Sequence, residues 1–534
     1  MRFEPAGEVL IVSEATKTEY HQLKLWLTRK VKGYAFNPAY KMKVWDGNKT
    51  YFKDGVVPMG LWKECLNACA ILQTKFEIEN KSDFPVNRDI KLEDVQKFCD
   101  EFFVNHKILD KITNTWVKFA PYDYQVDTAF KILKNKYCIG EVATSGGKSL
   151  VLSIVYFYIL KHMKEDAKFL LVVPSITLVT QFYDDIVEFN IGANKDYDGG
   201  NPNPIDLRIE EIMSDKPRKY SGATNANLYI GCYQSLVEYD KTFFKKFYAV
   251  AVDEAHTCKS ASLTKIMKQT FMNASYRFGV SGTFPPDTSF EILTIQSLLG
   301  PKQTKIEAKT LMEKKVITPM SIKAIVLNYQ DNEMLDRLKV IKSSGDGKAV
   351  LDAERYFVHN SELRMKFILN LLEKTDKNTL MLFYTIEYGE MLEKRIKEHF
   401  PDRVVHYIDG NVAGQKRNVI KADMEVVDKE PRILIASYGT LSTGVSMKAI
   451  FNIIFADSYK SEQIVIQSIG RGLRLHPDKQ TAHIFDLVDI FDEKVITQQY
   501  TTKPNILYKH FLEREKFYQN REYPYRVIKV NLNP

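Results

Sequence analysis

Short apolar runs bounded by polar turns, and separated by stretches with helical spacing, recur in two regions of this chain. That alternation is the pattern of α/β layers built on parallel sheets. In the first region it predicts strands at 137–142, 169–173, 228–231, 247–252 and 276–280. In the second it predicts them at 380–384, 404–408, 433–436, 452–455 and 483–487. Each region has the length of one doubly wound domain. The charged interval 302–323 lacks either periodicity and reads as the linker between them. The two regions have the layout of a repeat, although they share no obvious internal motif.

A chain of 534 residues is too long for one hydrophobic core. The expected division is a small α+β domain at 1–110, two α/β lobes at 111–315 and 316–500, and a short helical extension at 501–534. The 45% hydrophobic and 27% charged fractions exclude a disordered or fibrous chain. The longest apolar stretch, 149–160, runs into Lys161, His162 and Lys164, so a membrane span is not expected. The first residues, Met1-Arg2-Phe3-Glu4-Pro5, lack the apolar segment of a secretory signal, and a cytoplasmic protein is expected. Six cysteines without zinc spacing fit reduced, buried thiols.

The net charge of +8 says little as a sum. Its distribution says more. Between Arg29 and Lys53 seven Lys or Arg stand against the single acid Asp46, interleaved with Tyr34, Phe36 and Trp45. Rings beside cations can stack on bases while the cations meet phosphates, so Lys41, Lys43 and Trp45 are candidate nucleic-acid contacts. Each ring taken singly reads more readily as an ordinary core residue of a small domain.

Three clusters carry chemistry. The first is Thr144-Ser145-Gly146-Gly147-Lys148-Ser149, between a predicted strand and the helical run 150–160. A turn of small residues at that junction lets backbone N–H groups surround phosphate at the positive end of a helix. Lys148 would place a point charge on the β- and γ-phosphates, and the Ser149 hydroxyl would hold magnesium. The strict phosphate-loop pattern is broken by Val142 at its first glycine position, and G-G-K-S alone would suit a flexible loop. The second cluster, Asp253-Glu254-Ala255-His256, follows the strand 247–252. Strand ends in parallel sheets project polar residues into the ligand crevice. There Asp253 would hold the metal and Glu254 polarise the attacking water. In the third, Gln467, Arg471 and Arg474 recur at helical spacing and would share one helix face. Guanidinium groups there are either a solvated basic face or arginine fingers for a phosphoryl transition state.

In this order the clusters resemble the core of a superfamily 2 helicase. Pro121-Tyr122-Asp123-Tyr124-Gln125 is similar to the family's adenine-reading element, which implies base contacts from Tyr122 and Gln125. Segments 174–181 and 231–236 are similar to strand-contacting motifs, which implies nucleic-acid roles for Pro174, Ser175, Gln234 and Ser235. Ser281-Gly282-Thr283 is similar to the element that couples hydrolysis to lobe movement, with His256. Phe383-Tyr384-Thr385 and the segment 437–445 resemble second-lobe motifs, implying strand contacts from Tyr384 and Thr440 and nucleotide contact from Gly444.

The resemblance, within a bacteriophage branch of the family, implies two RecA-like lobes using ATP and magnesium. It further implies action on forks, Holliday junctions and RNA–DNA hybrids during recombination, repair and replication control. A monomer, with recombination or single-strand-binding proteins as partners, is the expected form. Two other readings fit the motifs: a double-strand translocase or restriction motor subunit, and an ATP-switched annealing clamp.

Overall fold

The computed structural model describes the chain except residues 111–114, 193–200, 202, 214–224, 271–272, 330–335, 339, 342–345, 429, 443–446, 492–503 and 533–534. By backbone contacts the chain divides into two compact units, Met1–Ala143 with Gly147–Ile306 and Thr144–Gly146 with Glu307–Pro534.

The first unit is organised by a seven-stranded sheet ordered Ile209–Ile212, Leu228–Cys232, Phe169–Val173, Ala249–Asp253, Tyr276–Ser281, Tyr137–Val142 and Lys302–Ile306. Every pairing in it is parallel. Helices cover both faces of such a sheet, so its central strands are apolar without alternation. Phe169–Val173, Leu228–Cys232, Ala249–Asp253 and Tyr276–Ser281 are accordingly buried at every position. The helix Lys148–Tyr158 is buried from Leu150 to Tyr158 and passes through the core.

The second unit holds another seven-stranded parallel sheet, ordered Val405–Ile408, Ile433–Ser437, Thr379–Phe383, Asn452–Phe455, Ala482–Ile490, Met320–Tyr329 and Tyr525–Leu532. Numbered by position in the chain, both sheets run third, fourth, second, fifth, sixth, first, seventh. The two regions therefore repeat one topology. Buried ion pairs fasten the second: Arg364 with Asp489 at 2.8 Å and Arg514 with Asp486 at 2.9 Å, all four side chains almost fully enclosed.

Two expectations change. The interval 302–323 is not an irregular linker, because Lys302–Ile306 is an edge strand of the first sheet and Met320–Tyr329 an inner strand of the second, with the helix Ala308–Glu313 between them. The tail 501–534 is built into the second unit: the helix Ile506–Asn520 supplies Leu507 and Phe511 to its core, and Tyr525–Leu532 pairs with Met320–Tyr329.

The N-terminal residues form a four-stranded sheet of Val56–Pro58, Val9–Ser13, Arg2–Ala6 and Glu77–Ile78, backed by the helices Lys17–Trp26 and Trp62–Ile71. This layer is continuous with the first unit. Its core includes Leu293 from the helix Phe290–Leu299. Gly60 lies so near that helix that a Cβ would sit 2.2 Å from the Gln296 carbonyl oxygen. Glu8 pairs at 2.6 Å with Arg277, which is buried on a central strand and lies over the Tyr137 ring. The six cysteines are free and buried.

Candidate nucleotide and nucleic-acid sites

The strand Tyr137–Val142 ends at the small-residue turn, and the helix Lys148–Tyr158 starts directly after it. Ser145 and Gly147 adopt left-handed backbone angles, φ +67° and +76°, which bend the chain back over the start of the helix. Gly147 is required twice over, since a Cβ there would also stand 2.2 Å from the Gln125 amide nitrogen. Gln125 is buried, and its side-chain oxygen accepts the Tyr122 N–H at 2.9 Å. Tyr122 is half exposed and stacks on Tyr124. The predicted base-reading pair thus adjoins the predicted phosphate loop.

Asp253 closes the strand Ala249–Asp253, and Glu254 follows it at φ +49°. Lys148 Nζ lies 3.1 Å from Glu254 Oε1. The Ser281 hydroxyl donates to Glu254 Oε2 at 3.1 Å, and His256 Nδ1 lies 2.7 Å from Ser281 Oγ. The Thr283 N–H points to the same hydroxyl at 3.4 Å. One polar chain therefore links Lys148, Glu254, Ser281, His256 and Thr283, joining residues from three strand ends. Burial and the adjoining Glu254 carboxylate, opposed by Lys148, push Asp253 up to about 7. Burial works against the Glu254 charge too, but the Lys148 ammonium and the His256 bond outweigh it and hold Glu254 well below the usual carboxylate range.

Asp253 Oδ1 is buried without a hydrogen-bond partner. An orphaned carboxylate oxygen on the strand end next to a serine-bearing helix start suits a hard cation, which takes oxygen ligands. Among the described residues no group of three or more His, Cys, Asp and Glu could hold a metal. Asp253 and Ser149 are the residues here whose oxygens could hold such a cation.

Pro174 and Ser175 follow the strand Phe169–Val173, and Gln234 and Ser235 follow its parallel neighbour Leu228–Cys232, with Val173 and Cys232 in register. The sheet brings the four together. Gln234 donates to the Pro174 carbonyl at 3.3 Å, and Ser235 Oγ is buried and unpartnered. In the second unit Tyr384 and Thr440 follow neighbouring strands in the same way, Phe383 being in register with Ser437. Tyr384 is exposed beneath the Arg355 guanidinium at 4.2 Å, while Thr440 is buried and bonded to Ser437 at 2.7 Å. Gly444 lies outside the described residues.

The arginine cluster differs from expectation. The helix Glu462–Gly472 carries Gln467 and Arg471 but stops before Arg474, so the three do not share one helix face. Gly470 and Gly472 weaken the end of this helix, and Arg474 stands in the turn beyond it. A residue that the sequence reading missed secures that turn. The ammonium of buried Lys479 reaches the carbonyls of Gly472 at 3.1 Å, Arg474 at 2.9 Å and Lys448 at 2.6 Å. Burial, offset in part by Glu425 and reinforced by Arg474, lowers Lys479 to about 7. A lone lysine after His476-Pro477-Asp478 gives no sequence signal of this.

Lys41 and Lys43 are exposed. Trp45 is half-buried, and its indole N–H donates to the Asn48 carbonyl at 2.6 Å.

Residues 110–286 match the family model described as the type III restriction enzyme res subunit. The chain is 28% identical over 526 residues to the ATP-dependent DNA helicase uvsW of Enterobacteria phage T4, covering 97% of each protein. It is also 22% identical over 435 residues to the putative helicase 22 of a Sulfolobus islandicus filamentous virus, covering 78% of this chain and 72% of that one. Among solved structures, the fragment of a putative HsdR subunit of a type I restriction enzyme from Vibrio vulnificus YJ016 matches at TM-score 0.52 and 14% identity, over 77% of this chain and 69% of that one. That likeness is one of fold.

Proposed function

We propose, from the premise that this chain is a superfamily 2 helicase related to the T4 protein, that it couples ATP hydrolysis to the remodelling of branched DNA and R-loops. The observation that carries the reading is the polar chain through Lys148, Glu254, Ser281 and His256 beside the unpartnered Asp253 oxygen. Thr144 to Ser149 would hold the phosphates, with Lys148 turning from Glu254 to the β- and γ-phosphates when ATP enters. Ser149 and Asp253 would hold magnesium, which supplies charge neutralisation on the phosphate oxygens. Released from Lys148, Glu254 would orient and deprotonate the attacking water, while Ser281 and His256 keep its carboxylate in place. Tyr122 and Gln125 would read the adenine, and Gly444 would be a further nucleotide contact. Arg471 and Arg474, with Gln467 beside them, would neutralise the transition-state charge.

Pro174, Ser175, Gln234, Ser235, Tyr384 and Thr440 would follow one strand, and Lys41 and Lys43 the phosphates of a second arm. Contacts to backbone rather than base edges make selectivity a matter of junction shape, with binding that falls steeply with salt. Among the described residues no helix is long and apolar enough to cross a membrane. A monomer working in the cytoplasm of an infected host fits the reading.

The test is strand displacement on forks, Holliday junctions and RNA–DNA hybrids with ATP and magnesium. ATP hydrolysis stimulated by DNA without displacement on any substrate would reject it. The restriction-subunit match over 110–286 favours one alternative, a double-strand translocase. That motor would displace a triplex-forming strand along duplex DNA while leaving the duplex paired.

A further inference from the structure

Between the paired strands Thr28–Lys30 and Asn48–Thr50 the chain makes an excursion, residues 31–47, closed at its neck by the Val31 N–H bonded to the Gly47 carbonyl at 2.9 Å. The excursion has an ordered interior. Asn37 caps the turn Pro38–Lys41, and the Ala39 carbonyl accepts the N–H groups of Val44 at 2.9 Å and Trp45 at 3.2 Å. Tyr34 packs edge-on against Tyr40 at 4.8 Å, and Lys30 stands over the Tyr34 ring. Gly47, at φ +83°, leaves room for that ring, since a Cβ would lie 2.7 Å from it.

With Tyr34, Tyr40 and Trp45 turned inward, three apolar side chains remain outside: Phe36 is 82% exposed, Met42 67% and Val44 79%. Leaving three large apolar groups in water on one small projection is unfavourable unless something covers them. The charges around them identify the cover. Lys32, Lys41 and Lys43 are exposed with no ion pair among the described residues, and the one acid, Asp46, already accepts both Asn48 nitrogens at 2.9 and 2.8 Å. An apolar tip ringed by free cations is complementary to a base pair flanked by phosphates.

We propose that residues 31–47 form a strand-separating tongue, in which Phe36, Met42 and Val44 press against the terminal base pair of a DNA junction while Lys32, Lys41 and Lys43 hold the flanking phosphates. The inference rests on the helicase reading and adds the element that parts the strands. Apolar wedges of this residue type unstack base steps, and stacking on a ring stabilises an opened base. The mounting suits the task. Just beyond the stem, Tyr51 stacks on Phe290 at 5.3 Å and its hydroxyl bonds to Thr294 at 3.0 Å, both on the helix Phe290–Leu299 that follows the Ser281 to Thr283 motif. The tongue is thereby carried on the nucleotide-binding unit.

A forked duplex with 2-aminopurine in its terminal base pair, bound by the full-length protein without nucleotide, gives the direct readout. The parent brightens the probe as the pair opens. The triple variant Phe36→Ser, Met42→Ser, Val44→Ser binds the fork but leaves the probe dark, and it unwinds about tenfold more slowly, while single-strand-stimulated ATP hydrolysis and melting temperature match the parent. Phe36→Trp keeps the signal. Lys32→Ala with Lys41→Ala and Lys43→Ala weakens fork binding and flattens its salt dependence by about two to three phosphate contacts, with the probe still bright at saturation. A serine variant that brightens the probe and unwinds like the parent overturns the proposal, as does a parent that never brightens it or a variant whose defect is only loss of a protein partner. A parent that brightens the probe yet displaces no strand with ATP rejects the helicase reading instead.

Discussion

The two parallel sheets have the same strand order, yet they put an acid to opposite uses after the fifth strand. In the first unit Asp253 ends that strand with Oδ1 buried and unpartnered. In the second, Asp457 follows Asn452–Phe455 and is fully engaged: it accepts the N–H groups of Tyr384 at 3.3 Å and Ser458 at 2.9 Å and lies 3.2 Å from His359 Nε2. One carboxylate is left for a ligand, the other is consumed by the fold. A buried carboxylate oxygen without a partner is unfavourable, so it persists where binding compensates. Topology alone therefore does not make a site. The difference lies in whether neighbouring elements bring their own donors.

That contrast can be broken at several points. The largest effect is expected from Lys148→Ala, which should reduce DNA-stimulated ATP turnover to background while filter-binding affinity for DNA stays close to the parent; unchanged turnover would remove the phosphate-loop assignment. Next, Arg474→Ala should slow turnover by about a thousandfold with a smaller change in nucleotide affinity, because finger contacts strengthen in the transition state. A loss confined to DNA binding would reassign it. Glu254→Gln should slow turnover by about a hundredfold and leave ATP bound, as judged by single-turnover kinetics and equilibrium binding.

The finest test sets the two acids against each other. Asp253→Asn should raise the magnesium needed for half-maximal turnover by about tenfold or more while leaving thermal stability intact. Asp457→Asn should do the reverse, costing about 1–3 kcal/mol in a denaturation experiment without altering magnesium dependence. Equal behaviour of the two variants would dissolve the distinction.

Strands buried on both faces were legible from the chain. Phe169–Val173 is a continuous apolar run, Asn452–Phe455 is one after its first residue, and both fall where predicted. Edge strands were not. Lys302–Ile306 reads as Lys-Gln-Thr-Lys-Ile and Tyr525–Leu532 alternates charged with apolar residues, because an edge position leaves one side open to water. Charge and irregularity make 302–323 read as a linker, whereas the tail reads as helical and then extended without showing that it joins a sheet. Met320–Tyr329 was lost for a different reason, in that its polar first half masks the buried run Ala324 to Tyr329. Ile209–Ile212, short and with two glutamates, was missed likewise.

The phosphate loop, Asp253 and Glu254 were legible because strand-to-helix junctions write their chemistry in consecutive residues. The end of the arginine helix was less so, since spacing suggested a shared face for Arg474 that Gly470 and Gly472 do not sustain.

By itself the sequence determined the two α/β regions, the order of the motifs and the residue types able to bind phosphate, metal and base. These follow from local rules of periodicity, turn chemistry and functional groups. Only the tertiary structure decided that both sheets share one strand order, that Asp253 is left open where Asp457 is satisfied, and that Trp45 is tied down while Phe36, Met42 and Val44 face water. Each of those depends on which distant backbone donor or apolar surface arrives beside a side chain, and that information is distributed over the whole fold.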